Sequence, residues 1–430
     1  MKHPKPHFNP IGLLAVAMFI WMSVGTAAAA ASKYEVIYAF QGIKDGTEPN
    51  SAVTFDQTGN LYGTTKLGGD LCPNDNNSGC GTVFQLKPPA KQGEAWSKTT
   101  LYTFKGNGDG WYPSSVVADE AGNLYGITAD GIPECQDYGL CGTIFELKPP
   151  AKDGGDWTKN IIYSFKNFDD GGDPLGSLTF DASGNLYGTA CIGGSAGYGS
   201  VYQLAPSHDP SQTRNKTELF SFNWTDGHCP SAGVTFDKSG KLYGVTTGGG
   251  EMDQGLVFQL APPTQKNGPW KESIFVYFDG SNGRWPSDRL TFDAKGNLYG
   301  TTYTGGSGGC ANGVVFQLKP PAWKENQIYV FCDLGAPEGV VIDASGTLYG
   351  ATANGGTPER GTIYQLKPPI SKRKNWSESN LFIFGGGKKG ATPDSALIFG
   401  KDGALYGSTM AGGSRNCRQG GCGVIYRITP

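Results

Sequence analysis

Three acidic residues in the C-terminal half of the chain, Asp288, Glu338 and Asp394, each lie at or just before the start of a short apolar run. The intervals between them are 50 and 56 residues. Carboxylates that converge in space can bind Ca²⁺ or divide the acid and base roles of glycoside hydrolysis. The alternative is that they are solvated loop acids without a function. The choice depends on whether the fold brings the three runs together.

A second group of candidates consists of aromatic residues in polar segments rich in Gly and Pro, where an exposed ring can stack on a sugar or a partner protein. These ligand-binding candidates are Trp111, Tyr112, Trp224 and Trp285, together with His228. The alternative is that the rings fill seams between structural units. Any Ser-His-Asp site in this region would have to use His228, and no helix is predicted that could form a nucleophile elbow. Such a triad is therefore not expected.

The composition predicts a folded, turn-rich protein. Of 430 residues, 67 are Gly and 27 are Pro, while 20 Tyr, 22 Phe and 9 Trp supply the aromatic surface that a disordered chain lacks. The formal charge of -3 provides no broad positive field. Nucleic acid and anionic membranes are therefore not expected partners.

Residues 1–31 are typical of a secretory signal peptide. Lys2 and Lys5 precede an apolar stretch over residues 11–24, which is short for a membrane span, and the small residues Ala27–Ala31 suit signal peptidase. The alternative is an uncleaved anchor. We expect one domain over residues 32–430 and a secreted, periplasmic or cell-surface location, with no membrane span after cleavage.

An internal repeat dominates the rest of the sequence. The tripeptide Leu-Tyr-Gly occurs seven times at intervals of 50 to 63 residues, with its tyrosine at Tyr62, Tyr125, Tyr187, Tyr243, Tyr299, Tyr349 and Tyr406. Each copy lies among short runs rich in Val, Ile, Thr, Tyr and Phe that are bounded by Gly, Pro or Asp, which predicts strands. In the first unit the four runs are Ser51–Asp56, Asn60–Thr65, Gly81–Leu86 and Thr100–Lys105.

Four strands in each of seven units predict an all-β, seven-bladed β-propeller with four-stranded blades. A solenoid is the alternative, but it would need polar capping repeats. The last unit stops after its third run, Gly423–Ile428, and a spare run, Glu35–Phe40, precedes the first unit. We therefore predict that the N-terminal strand joins the C-terminal blade, closing the ring and removing its open edges.

The block D-x-x-G-N-L-Y-G-T-T, followed by G-T-V-F-Q-L, resembles the Gloeo/Verruco (GloVer) tandem repeat of exported bacterial proteins. Ser183–Gly188 is a clear copy, and the resemblance covers nearly all of residues 33–430. It implies the propeller fold and export. It implies no catalytic residues.

The ten cysteines are disulfide candidates because the chain is expected to be exported, and no Cys-x-x-Cys pair indicates zinc. Three pairs flank single loops between the second and third strands of a blade, whereas two pairs join such a loop to the following loop between blades. The predicted bridges are Cys72–Cys80, Cys135–Cys141, Cys417–Cys422, Cys191–Cys229 and Cys310–Cys332. All five would lie on one face of the propeller, where the long and variable loops occur.

Two functions follow from these patterns. The first is a non-catalytic exported propeller, expected as a monomer without a cofactor, that binds a glycan or an extracellular protein on its variable face. The second is an extracellular carbohydrate-active hydrolase or lyase that uses Asp288, Glu338 and Asp394, for which Ca²⁺ is a weak cofactor candidate. The fold alone cannot separate them, since propellers host both.

Overall fold

The structure is a computed structural model. It describes residues 1, 32–69, 72, 78–91, 93–131, 141–152, 154–166, 168–207, 213–265, 268–333, 335–371, 375–417 and 420–430. The predicted signal peptide lies outside these residues apart from Met1, and it stays a prediction. No helix among the described residues is long and apolar enough to cross a membrane.

Seven antiparallel four-stranded sheets form the blades of a ring, so the predicted β-propeller is confirmed. In chain order from the innermost strand outward, blade 1 contains β2 (Thr54–Phe55), β3 (Leu61–Thr65), β4 (Thr82–Lys87) and β5 (Ser97–Thr103); blade 2 contains β6 (Trp111–Ala118), β7 (Leu124–Asp130), β8 (Thr143–Lys148) and β9 (Thr158–Ser164); blade 3 contains β10 (Gly172–Phe180), β11 (Leu186–Ile192), β12 (Ser200–Leu204) and β13 (Lys216–Ser221); blade 4 contains β14 (Thr235–Phe236), β15 (Leu242–Thr246), β16 (Leu256–Ala261) and β17 (Lys271–Tyr277).

Blade 5 contains β18 (Thr291–Phe292), β19 (Leu298–Thr302), β20 (Val314–Lys319) and β21 (Lys324–Val330); blade 6 contains β22 (Pro337–Ile342), β23 (Leu348–Thr352), β24 (Thr362–Lys367) and β25 (Ser377–Ile383); blade 7 contains β26 (Ile398–Phe399), β27 (Leu405–Thr409), β28 (Val424–Thr429) and β1 (Lys33–Ala39). Two 3₁₀ turns, Ile43–Asp45 and Gly387–Lys389, lie in loops between blades.

The N-terminal strand closes the ring, as predicted. β1 pairs antiparallel with β28, with Glu35 opposite Arg427 and Ala39 opposite Val424. The amide of Phe40 then donates to the carbonyl of Gly423. The seventh blade is thus built from both ends of the domain, which leaves no unpaired blade edge at the closure.

A hydrogen-bond network explains why Leu-Tyr-Gly follows Asp-x-x-Gly-Asn. In blade 1 the Asp56 carboxylate accepts hydrogen bonds from the amides of Thr58 and Asn60 and, at 3.0 Å, from the Tyr62 hydroxyl. Gln85 of β4 donates in turn to the Tyr62 hydroxyl. Partial burial acts to raise the pKa of Asp56, but these hydrogen bonds outweigh it and hold the pKa below its ordinary value. The motif therefore fixes the tight turn and the pairing of the two strands that follow.

Neighbouring blades meet through a repeated contact between Pro and Gly. A proline at or near the start of the innermost strand packs on the glycine just before the third strand of the preceding blade, so closely that a Cβ on the glycine would overlap the proline ring. The seven pairs are Pro49–Gly423, Pro113–Gly81, Pro174–Gly142, Pro230–Gly199, Pro286–Gly255, Pro337–Gly313 and Pro393–Gly361. The contact runs around the whole ring, including the closure between blades 7 and 1.

Each seam between blades is filled by apolar side chains. In the first seam, Leu124 and Phe145 of blade 2 pack with Tyr62 and Val83 of blade 1, and all four are buried. The five tryptophans that precede the outer strands pack partly buried against such clusters. They are Trp96, Trp157, Trp270, Trp323 and Trp376. They fill seams and belong to the fold.

Four of the five predicted disulfides are confirmed: Cys72–Cys80, Cys191–Cys229, Cys310–Cys332 and Cys417–Cys422. Cys141 is also disulfide-bonded, and no described cysteine is free. Cys135 lies outside the described residues, so the pairing Cys135–Cys141 stays a prediction. The cysteines of the confirmed bridges lie in loops of the variable face, except Cys191, which lies near the end of β11.

Candidate binding site at the channel mouth

Seven residues with left-handed backbone surround the channel mouth on the variable face. Each lies directly before the proline that packs on the preceding blade, with φ between 47° and 57°. They are Glu48, Tyr112, Asp173, Cys229, Trp285, Ala336 and Thr392. Non-glycine residues rarely adopt this conformation, which costs of order 1 kcal/mol or more per residue. We name these seven residues the mouth ring.

Backbone hydrogen bonds hold members of the mouth ring in place. The Trp285 amide donates to the Gln254 carbonyl of blade 4, and the Trp285 carbonyl accepts from the Tyr303 amide of its own blade. Cys229 is held in the same way between Tyr198 and Thr247. The side chain at this position is therefore free to differ from blade to blade while the backbone repeats. Sequence reasoning singled out Tyr112, Trp285 and Cys229 but missed their equivalence, which the seven Xaa-Pro pairs could have revealed.

The five aromatic and histidine candidates divide into three groups. Trp111 is half-buried and packs with the seam between blades 1 and 2, and its indole nitrogen is buried without a hydrogen-bond partner in the described chain. It therefore fills the seam, the alternative weighed above. Trp285 is 40% exposed, and Tyr112 is half-buried at the mouth.

Tyr112 lines a cavity of about 560 Å³ at the mouth. The wall includes Lys66, Ser114, Leu175 and Met410, which come from blades 1, 2, 3 and 7. The Lys66 ammonium lies 5.6 Å from the centre of the Tyr112 ring. Lys66 was not a predicted site residue because a single lysine carries no signal in the repeat.

Trp224 and His228 form a separate aromatic cluster in the loops of blades 3 and 4. Their rings stack with centres 5.1 Å apart, and Tyr198 meets the Trp224 ring edge-on at 5.4 Å. Trp224 and Tyr198 are 38% and 40% exposed. Burial lowers the pKa of His228, and Asp253 only partly opposes this effect. His228 is thus favoured as a neutral ring.

The three predicted carboxylates come together at the inner edge of blades 5 to 7. Asp288 accepts a hydrogen bond of 2.6 Å from the Gly339 amide, next to Glu338, and its carboxyl group is hydrogen-bonded to that of Glu338. Asp394 is close enough to Asp288 for their charges to interact, and Lys66 faces Asp394. Glu338 and Asp394 occupy equivalent positions, each directly after the proline.

The sequence of the chain also matches a described family. The family model of the Gloeobacter/Verrucomicrobia repeat matches residues 71–310, which is more than half of the chain. The chain belongs to the Gloeobacter/Verrucomicrobia repeat family. The resemblance expected from Asp-x-x-Gly-Asn-Leu-Tyr-Gly is thereby confirmed. No curated protein matches the sequence at a significant level.

Solved structures similar to this Gloeobacter/Verrucomicrobia repeat protein share its fold. A streptogramin B lyase structure is 13% identical with a TM-score of 0.54, and the match covers 93% of this chain and 97% of the lyase chain. A periplasmic gluconolactonase of Pseudomonas aeruginosa is 12% identical with a TM-score of 0.51, covering 77% and 84% of the two chains. At such low sequence identity the similarity shows the fold and says nothing about activity.

Electrostatics at the mouth of this repeat protein favour a neutral Glu338. Burial raises the pKa of Glu338 well above its usual range, and the charges of Asp288 and Asp394 and the hydrogen bond with Asp288 add to this effect. Burial and Asp288 also raise the pKa of Asp394, whereas Lys66 lowers it. Glu338 can therefore donate a proton in a hydrogen bond to Asp288 or to a ligand.

Metal ligation by this arrangement has no geometric support in the described part of the chain. No group of three or more His, Cys, Asp and Glu residues there is placed so that it could hold a metal ion. The calcium hypothesis for Asp288, Glu338 and Asp394 stays a prediction. The mouth carries hydrogen-bond donors and acceptors together with two aromatic rings, those of Tyr112 and Trp285.

Proposed function

We propose that this Gloeobacter/Verrucomicrobia repeat protein is an exported, non-catalytic propeller that binds a carbohydrate at the channel mouth. The observation that carries the proposal is the combination of Tyr112 and Trp285 in the mouth ring with Glu338 and Asp394 at the inner edge. Aromatic faces pack against the apolar C–H faces of a sugar, and carboxyl groups bind its hydroxyls. Few placed polar groups beside apolar surface are typical of small-ligand sites.

The spacing of the carboxyl groups favours binding over glycoside hydrolysis. Asp288 and Glu338 are joined by a hydrogen bond. The paired carboxyl groups of glycosidases are separated by roughly 5 to 9.5 Å so that a sugar, with or without a water, fits between them. Two carboxyl groups joined directly by a hydrogen bond lie closer together than that.

A hydrolase or lyase is the second candidate function, and the protonation of Glu338 favours it. A carboxylic acid that stays neutral near pH 7 is suited to general acid catalysis. The same neutral acid is also suited to donating a hydrogen bond to a bound sugar. Turnover of a bound glycan would separate the two functions.

Export is the part of the proposal that the disulfides support. Four disulfide bridges are present among the described residues. Disulfides persist in oxidising compartments such as the periplasm or the extracellular space. The segment of residues 1–31 supplies the expected signal.

A glycan array probed with the purified protein tests the proposal, followed by a product-release assay on every glycan bound. We expect binding without release, and at least tenfold weaker binding for Trp285→Ala and Tyr112→Ala. Ile370→Ala is the matched control, since Ile370 is 86% exposed in a loop between the third and fourth strands of blade 6, on the face opposite the mouth. Release of product would favour the hydrolase or lyase. Binding that the two mouth variants leave unchanged would contradict the proposed site.

A further inference from the structure

Arg289 places a guanidinium group among the innermost strands, one residue beyond Asp288. It lies four residues before the turn residue Asp293, and the equivalent positions of the other six blades carry only small side chains. Those positions are Ala52, Ser115, Ser177, Gly233, Gly339 and Ala396. Arg289 is therefore the only long side chain at this level of the described channel, and part of its surface remains accessible to solvent.

The Arg289 side chain reaches from blade 5 to the inner strands of blades 4 and 3. Its Nε donates to Thr235 Oγ1 at 3.0 Å, and its Nη2 donates to Thr179 Oγ1 at 2.9 Å. Its Nη1 donates to Ser177 Oγ at 3.4 Å. Three neutral hydroxyl groups thus fix the guanidinium plane. Two of its five N–H donors have no acceptor among the described residues.

No carboxylate balances this charge. None of the salt bridges formed by the described residues includes Arg289. Burial alone lowers its pKa, and no neighbouring acid opposes that effect. A buried charge without a counter-ion is costly, so proteins ordinarily pair it.

The other deeply buried cations of this propeller follow that rule. The side chains of Lys98, Lys159 and Lys216 are only 4 to 7% exposed, and each lies 2.7 to 2.9 Å from an aspartate. Arg289 is the exception among the buried cations of the described chain. The exception lies in the channel, where a ligand can reach it.

The hydroxyls around Arg289 are also suited to an anion. Thr235 donates its hydroxyl hydrogen to the Leu290 carbonyl at 2.8 Å. The hydroxyls of Ser177 and Thr179 accept from Arg289 but have no acceptor of their own in the described chain. An anion beside the guanidinium would receive hydrogen bonds from Arg289, Ser177 and Thr179. The guanidinium supplies the planar, charge-assisted contact that carboxylates prefer.

We propose that Arg289, Ser177 and Thr179 bind the carboxylate of an acidic sugar, a uronate, that enters through the mouth. This inference rests on the proposed carbohydrate-binding function and names its ligand class. A singly charged carboxylate is favoured over a doubly charged phosphate ester or free sulfate because the mouth ring and the inner edge carry the acidic residues Glu48, Asp173, Asp288 and Asp394. Like charges in a narrow, poorly solvated opening repel a dianion more strongly.

Calorimetric titration of the purified protein with D-glucuronate and with D-glucose tests the inference. We expect D-glucuronate to bind at least tenfold more tightly, and Arg289→Gln to remove this preference. Arg427→Gln is the matched control, because Arg427 pairs with Asp402 beside the turn of blade 7, on the face opposite the mouth. Equal binding of the two sugars, or an unchanged preference in Arg289→Gln, overturns the inference while leaving carbohydrate binding intact.

A second measurement detects the same contact through the stability of the folded protein. Sodium glucuronate should raise the melting temperature of the wild type above that in sodium chloride or sodium sulfate at equal ionic strength, because a bound ligand stabilises the folded state. Arg289→Gln should lose this rise, and Arg427→Gln should keep it. The same rise in chloride, or no rise with glucuronate, overturns a site selective for carboxylates.

Discussion

Glu272 lies in blade 4 at the position that Lys159 occupies in blade 2: each is opposite the leucine of the third strand, Leu260 and Leu147. Lys159 binds Asp109 of the preceding loop at 2.7 Å. Glu272 instead lies near Asp226 of the equivalent loop. The same position holds Lys98 and Lys216 in blades 1 and 3, and Glu325 and Glu378 in blades 5 and 6. Blades 1 to 3 therefore form a salt bridge at this position, whereas blades 4 to 6 carry an acidic residue there.

The acidic half makes stability depend on pH. Burial, with a contribution from Asp226, raises the pKa of Glu272 from 4.5 to about 8, and burial is also the main reason that the pKa of Glu325 reaches about 7. Between pH 4.5 and 8 the folded state holds protons that the unfolded state has released, so stability falls as pH rises. Urea unfolding at pH 5.5 and 8.5 should show this loss, and Glu272→Gln should reduce it. Glu251→Gln, an exposed substitution in the same blade, should not.

Exchanging the two residue types should have opposite effects in the two halves. Lys159→Glu leaves Asp109 facing a second acid, and we expect it to cost about 3 kcal/mol of the free energy of unfolding, as for other broken buried pairs. Glu272→Lys restores the pair found in blade 2 and should stabilise the protein by about 1 kcal/mol at pH 8. Urea unfolding measures both changes. Two variants that both lose stability, or both gain it, would show that the two positions are not equivalent.

The contact between Pro and Gly at the ring closure can be tested with two glycines that share a backbone conformation. Gly423 and Gly308 have φ of 88° and 79°, but only Gly423 lies against another blade, at Pro49. Gly423→Ala should lower the melting temperature by several degrees more than Gly308→Ala, because the backbone strain is shared and the overlap is not.

Deleting residues 32–42 removes the closing strand and should cause aggregation. A soluble deletion variant with an unchanged melting temperature would contradict closure.

Peptide mapping without reduction should find five disulfides and no free thiol, with Cys135 joined to Cys141. The bridge between Cys191 and Cys229 joins the mouth ring to β11, the second strand of blade 3. Replacing both cysteines with serine should cost about 4 kcal/mol by the loop-closure estimate and weaken any ligand held at the mouth. A free thiol at Cys191, or a cross-pairing with Cys310, would disprove the assignment.

Calcium should not stabilise the protein, because burial and the neighbouring charges of Asp288 and Asp394 favour a neutral Glu338 where a cation would need a charged carboxylate. A thermal melt in calcium chloride, compared with magnesium chloride and with a chelator, measures this. A rise in melting temperature specific to calcium, absent from the variant with Asp288→Asn, Glu338→Gln and Asp394→Asn, would establish the metal site instead.

The sequence predicts the features of the structure that every blade repeats. Leu-Tyr-Gly predicts the blade number, the strand order and the closing strand because every blade needs the same turn and the same seam. The positions of Asp288, Glu338 and Asp394 predict their convergence because each lies near the start of an inner strand. Arg289 and Lys66 could not be found in this way, since each occurs in one blade and acts on residues of other blades. The contacts across the channel depend on the length of individual side chains, which the repeat does not predict.

Because β1 and β28 share one sheet, the two termini of the domain lie on neighbouring strands, and the ring has no structural beginning. Any of the seven turns that join inner to second strands could serve as the start of a circularly permuted chain, provided that a short peptide joined Pro430 to Ser32. Such a permutant would keep all seven contacts between Pro and Gly and the whole mouth ring. A start in any of the other six blades would also move the free ends away from blade 7, so that reporters for ligand binding could be attached beside the blade under study.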